Sequence, residues 1–444
     1  MDADVIVEGA DLLLTCDVDH SILKGASIAI IGGRIAAIAQ AHESQVWRAP
    51  LVIDARRHLV MPGLVNLHTH LPMTLLRGVA EDVDLEGFLA RVWAAEARMM
   101  DEAGTELGAC LGAVEALLSG TTTALDMYLH PHAAHRGAVT AGLRHVTGPV
   151  FFSFPGPDGM EWHERMAYAR TWPQWLERIG GPRVPLALMP HCPQTVGPEY
   201  LAEIAAMARE QGAIVHTHLS ETTVENERTI EEFGARPTSL MVDSGLLELR
   251  PILAHGVHLD AADREAIATI GASVAHCPGS NLKLASGAAD IVGYRQQGIT
   301  VGIGTDGCSS SNDLDMFSAM RLAANLARLV RNDPAAISAK DIIRGATIEG
   351  ARALGMDPWI GSLEVGKEAD LIILDLETPH LTPLRDPNAA LVYSAGRSDI
   401  RHVLVAGEVV VRDRIPVRVD LTDLLHQVNA LIAEHEPEPE PEQG

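Results

Sequence analysis

Leu59-Val60-Met61-Pro62-Gly63-Leu64-Val65-Asn66-Leu67-His68-Thr69-His70 is an apolar run that ends abruptly in two histidines one residue apart. Runs of this kind recur along the chain: Leu59–Leu67, Thr121–Met127, Arg144–Ser153, Val184–Pro190, Ala213–Thr217, Pro251–Ala254, Ala272–Ala275 and Thr300–Thr305. Helical texture separates them, for example over Tyr200–Gln211 and Leu314–Val330. Short buried strands alternating with helices are the pattern of a (β/α)8 barrel, in which crossover helices cover a ring of parallel strands. The expected fold class is therefore α/β, with a TIM barrel over residues 61–361.

Outside that span the texture changes. Val5-Ile6-Val7, Leu12-Leu13-Leu14, Ser27–Ile31 and Ile35–Ile38 are short and strand-like, with Gly32-Gly33 as a hairpin signal. Ala369–Leu374 and Val403–Val411 repeat the texture near the other end. Both termini are thus expected to build one small β-sandwich domain from residues 1–60 and 362–418. The Glu/Pro alternation over residues 434–444 reads as a disordered acidic tail.

Composition narrows the partners. Of 444 residues, 34 are Lys or Arg and 59 are Asp or Glu, giving a net charge of −25 that repels polyanions. Neither nucleic acid nor a membrane is expected as a partner, and no apolar stretch approaches the ~20 residues of a membrane span. The five cysteines are widely spaced without a C-x-x-C pair, and the start is acidic; a reducing, cytoplasmic setting is expected.

In barrels of this kind the chemistry sits at the C-terminal ends of the strands. There the sequence places His68-Thr69-His70, then His216-Thr217-His218-Leu219-Ser220-Glu221, then His255, then Thr305-Asp306-Gly307. Alternate residues on a strand share a face, so paired histidines point to one mouth. A nitrogen and oxygen donor set of this type suits Zn2+, with Fe2+ as the other candidate. A solvated loop histidine would explain any one of these positions, but not four strand ends at once. The only lysines are Lys24, Lys283, Lys340 and Lys367, so the fourth strand offers none to bridge two ions, and a single divalent metal per chain is expected. Gly302–Gly307 matches G-x-G-x-x-G but falls at the end of the barrel, where a dinucleotide loop does not belong. Gly361–Lys367 resembles the start of a P-loop, yet Glu368 stands where a Mg2+-binding hydroxyl is needed.

His68-x-His70, His218-Leu219-Ser220-Glu221, His255 and Asp306 together resemble the amidohydrolase superfamily. The resemblance is nearest to the aminohydrolases that include S-adenosylhomocysteine/methylthioadenosine deaminases and triazine chlorohydrolases. Pro62–Asn66, Met73–Gly78, Ser280–Lys283 and Gly361–Asp370 extend it along the chain. It implies one metal held by His68, His70, His218 and Asp306, with Asp306, His255 and Glu221 carrying the proton chemistry. It further implies hydrolytic deamination of an amino-substituted heterocycle, such as an adenosine- or thioadenosine-like nucleoside, a purine or a pterin. A homo-oligomer acting on such a small molecule is the expected assembly.

For substrate contacts the resemblance assigns Glu86 to sugar hydroxyls, Phe88 to ring packing and His191 to the ligand. Phe88 replaces the usual Trp, and no arginine lies between Thr147 and Trp162 to meet an anionic tail; Arg144 and Arg165 do not fit that role. A neutral nucleoside is therefore expected ahead of S-adenosylhomocysteine. Glu86 also reads as an ordinary acidic residue in a helix's first turn. The rival enzyme is a triazine-type chlorohydrolase, separable by its release of chloride. The remote alternative is a non-catalytic scaffold, which a chain without metal would support.

Overall fold

Gly63 divides the opening run between two sheets. A computed structural model describes residues 1–40 and 47–435. In it, His58–Pro62 pairs antiparallel with Leu371–Asp375, whereas Leu64–Thr69 pairs parallel with Thr121–Asp126. Leu59–Leu67 is therefore not one strand, and the change of sheet comes at residue 63 instead of 61. A Cβ on Gly63 would lie 2.1 Å from Thr122 Oγ1, so the crossing point has no room for a side chain. Periodicity alone does not mark such a break, because both halves are buried.

Parallel strands carry the middle of the chain. Leu64–Thr69, Thr121–Asp126 and Arg144–Thr147 form one sheet. Val150–Phe151, Ala187–Pro190, Ile214–Leu219, Ile252–His255, Ser273–His276 and Thr300–Ile303 form the next, each beside its sequence neighbour. The expected strand Arg144–Ser153 is thus two segments, parted by Gly148-Pro149. Pro149 has no N–H for a ladder, and a Cβ on Gly148 would fall 1.9 Å from the Ala187 carbonyl oxygen. The first and last strands also meet. Asn66 Nδ2 donates to Thr305 Oγ1 at 2.7 Å, and Asp306 N–H donates to the His68 carbonyl at 3.0 Å.

Helices make the crossovers that parallel pairing requires. Asp101 caps Glu102–Leu118 by accepting from Gly104 N–H, and Gly212 closes Pro198–Gln211 in the left-handed conformation. No helix among the described residues is long and apolar enough to cross a membrane.

Strands from both ends interleave in the remaining sheets. One runs Arg34–Ala39, Ala26–Ile31, Val5–Ala10, Leu51–Asp54. The other places Ile400–Val405 and Leu371–Asp375 beside His58–Pro62 and Leu12–Leu14. Val7, Leu13, Ile28, Val60, Ile373 and Leu404 bury into one shared apolar core. Arg144 ties this region to the parallel strands: its buried guanidinium meets both Asp370 oxygens at 2.9 and 3.0 Å and Glu368 at 2.6 Å. That pairing explains why Arg144 is no ligand-binding arginine. Glu434 and His435 close the helix Leu421–His435, so the expected tail does not start at 434; residues 436–444 of it lie outside the described residues.

Candidate active site

The strand ends gather their histidines in one place. One ring nitrogen from each of His68, His70 and His218 lies within 4.8 Å of the others. Hydrogen bonds fix which nitrogen that is. His216 Nδ1–H donates to the Ile252 carbonyl at 2.9 Å, so its Nε2 accepts from His68 Nδ1–H at 2.7 Å. His70 Nδ1–H donates to the Met127 carbonyl at 2.6 Å, and His218 Nδ1–H to the His191 carbonyl at 2.7 Å. Each chain of donors occupies Nδ1 and leaves Nε2 as the nitrogen that faces the others, the one a metal would take.

Two further observations fit a cation. His68 Nε2 is buried without a hydrogen-bond partner, a costly state unless something positive meets it. Asp306 Oδ1 lies 3.3 Å from His68 Nε2 and 3.1 Å from His70 Nε2, while its Oδ2 accepts from Ser310 Oγ at 2.9 Å. Burial pushes the His68 imidazole down to about 4 and keeps it neutral. Burial also opposes charge on His70, but the Asp306 carboxylate overrides it and lifts that ring to about 9. The pocket thus calls for one positive charge beside Asp306. His68, His255 and Cys277 come equally close together. Burial lifts the Cys277 thiol well above its usual range, however, which makes it a poor thiolate donor.

Glu221 and His255 stand beside this cluster. His255 Nδ1–H donates to Asn281 Oδ1 at 2.8 Å, and His255 Nε2 lies 3.6 Å from Glu221 Oε2. Burial raises the Glu221 carboxyl and the nearby Asp306 charge adds to it, with His255 opposing. His255 itself is raised, because Glu221 and Asp306 outweigh the burial that would lower it. Ser220, His255 and Asp306 all adopt positive φ, at +49°, +70° and +62°. Such backbone is unfavourable for non-glycine residues and persists where the surroundings impose it, often at functional sites.

A cavity of about 580 Å³ opens over these groups and is lined by His70, His218, Glu221, His255 and Asp306. Glu86, Phe88 and His191 line it too, so the structure brings the expected substrate contacts to the same space. His191 stacks near Phe152, with ring centroids 4.9 Å apart, and its carbonyl holds His218. Glu86 pairs with Arg228 at 2.5 Å, both side chains half exposed at the mouth.

Sequence reading left several of these residues without a role. Trp93 joins Phe152 and His191 in an aromatic wall. Phe88, Leu89, Val92, Trp93 and Glu96 recur on one face of helix Leu85–Met99, and that helical spacing was a usable signal. Arg228 gave none, since only the fold carries helix Thr223–Phe233 to Glu86. Arg228 is thus an arginine of the cavity wall outside the stretch Thr147–Trp162, paired there with Glu86.

The model of the amidohydrolase family matches residues 59–410. The chain belongs to the amidohydrolase family. Among its relatives, the 5-methylthioadenosine/S-adenosylhomocysteine deaminase of Syntrophobacter fumaroxidans is 37% identical over 425 residues, covering 94% of this chain and 95% of that one. The amidohydrolase framework is also clear in three dimensions. A zinc-bound crystal structure of an adenosine deaminase from Xanthomonas campestris superimposes with a TM-score of 0.93 at 34% identity, covering 98% of both chains. An atrazine chlorohydrolase from Arthrobacter aurescens, complexed with zinc and atraton, gives 0.87 at 25% identity, covering 96% of this chain and all of that one.

Proposed function

We propose that this chain is a metal-dependent hydrolytic deaminase that releases ammonia from an amino-substituted heterocycle, with adenosine- or thioadenosine-like nucleosides ahead of free purines and pterins. The observation that carries the reading is the convergence of one ring nitrogen each from His68, His70 and His218 beside Asp306, sharing one cavity with a second acid, Glu221. The parallel strands form a closed (β/α)8 barrel that begins at Leu64, and the strands that precede Gly63, with those of 362–418, form a β-sandwich beside it. One divalent ion, Zn2+ by analogy with the zinc-bound relatives, is held by His68, His70, His218 and Asp306. The protein works as a cytoplasmic homo-oligomer on a small molecule, without nucleic-acid or membrane partners.

When bound, the ion supplies the Lewis acidity that makes hydroxide available near neutral pH. Asp306 takes a proton from the attacking water, and His255, steadied by Asn281, orients that water. Oxygen adds to the amino-bearing carbon while Glu221 protonates the adjacent ring nitrogen. Glu221 then takes the hydroxyl proton of the adduct and passes it to the amino group, which leaves as ammonia as the carbonyl forms. The proton held by Asp306 restores the acid form of Glu221. A raised carboxyl is suited to this, since it carries a proton closer to neutral pH than an ordinary glutamate. Glu86 accepts from sugar hydroxyls through the oxygen that Arg228 leaves free, Phe88 and Trp93 pack on apolar faces of the ligand, and His191 contacts it.

The test is ammonia and chloride release across amino-purines, their nucleosides, pterins and chloro-s-triazines. Ammonia from an adenosine-type nucleoside supports the reading. Chloride alone would place the chain with the triazine chlorohydrolases.

A further inference from the structure

Glu225 is a buried carboxylate that forms no ion pair among the described residues. Its oxygens are spent on backbone. Oε1 accepts from Ser220 N–H at 3.1 Å and Oε2 from Glu221 N–H at 2.7 Å. An ordinary capping box would direct an acid at this helix position to the N–H of the cap residue, Thr222. Thr222 does its half, accepting from Glu225 N–H at 3.1 Å. Glu225 instead reaches one and two residues further back, past the cap, to the peptide that carries Glu221.

That peptide is held on its carbonyl side by His258, whose backbone N–H donates to the Ser220 carbonyl at 2.9 Å, and its N–H side is left to Glu225. Ser220 is in the left-handed region with φ +49°, and its buried hydroxyl has no partner to fix it. The Glu221 side chain has only long contacts, 3.4 Å from Ser286 Oγ and 3.6 Å from His255 Nε2. Contacts of that length restrain direction weakly, so the backbone sets where this carboxyl points.

We propose that Glu225 is a positioning residue, whose carboxylate grips the Ser220 and Glu221 amides and thereby aims Glu221 at the substrate. The inference rests on the reading of Glu221 as the proton shuttle. Glu225→Gln leaves one acceptor oxygen for two amides, because its NH2 group faces an N–H. In the metal-loaded enzyme this variant is expected to lower kcat about tenfold or more, with KM and metal content nearly unchanged. In a Glu221→Gln background the same substitution is expected to cost less than about twofold, since there is no shuttle left to aim. Equal losses in both backgrounds would reduce Glu225 to a helix cap and overturn the proposal. Hydrogen exchange on the unmodified full chain tests it even if the variant does not fold. The Ser220 and Glu221 amides should be strongly protected, and rapid exchange there would overturn it. A Glu221→Gln enzyme that retains full turnover would instead remove the shuttle reading itself, and with it any need for aim.

Discussion

The floor and the mouth of the cavity are built on opposite terms. At the floor, His68, His70, His218 and Asp306 come from strand ends, are nearly or fully buried, and each meets a fixed second partner. At the mouth, Glu86 and Arg228 come from two helices, their side chains are 52% and 51% exposed, and they meet chiefly each other. Buried polar groups must be satisfied within the protein, which fixes each ring's Nδ1 and Asp306 Oδ2 and leaves His68 Nε2 open to a cation. The exposed pair can trade partners with water or ligand at little cost, because such pairs contribute only about 0–1 kcal/mol. Rigid chemistry below and replaceable recognition above is how one framework can serve relatives with different substrates.

The largest effect should come from the floor. Glu221→Gln is expected to keep the metal but lose roughly 10²–10⁴-fold in kcat, measured by ammonia release beside elemental analysis. Near-native turnover would move proton transfer to another group. One shell out, His216→Ala removes the acceptor that fixes the His68 tautomer. Metal affinity should weaken about 10–100-fold, read by competition with a chelator; unchanged affinity would show that His68 needs no such hold.

At the mouth the effects should be smaller and should depend on the substrate. Glu86→Ala is expected to lower kcat/KM about tenfold or more for a nucleoside, the range for hydrogen bonds to a charged group, and little for the free base. Equal losses on both would place Glu86 away from the sugar. Arg228→Ala should change kcat/KM for a neutral nucleoside by less than about fivefold, an effect fading further as salt rises. A loss as large as that of Glu86→Ala would make Arg228 a direct ligand contact.

The same division governs what the sequence could reveal. The strand-end histidines and Asp306 stood out because ligand-type residues closing apolar runs are unusual, and the structure brings them together. The Leu59–Leu67 run misled because its halves are equally buried, and only the crowding at Gly63 parts them. Pairing of Leu371–Asp375 with His58–Pro62 sets Ile373 opposite Val60, some 310 residues apart, and only their shared β texture hinted at it. Arg228 and Glu225 were hidden differently. On helix Thr223–Phe233 they read as ordinary charged residues, and their roles arise from what the fold sets opposite them.

The most direct test of the account is a metal titration. The chain is stripped of metal and Zn2+ is added back stepwise, while ammonia release from an adenosine-type nucleoside is followed. The account predicts no turnover without metal and a linear rise that levels at one equivalent per chain. Full turnover in the stripped chain, or a rise that levels only at two equivalents, would contradict it.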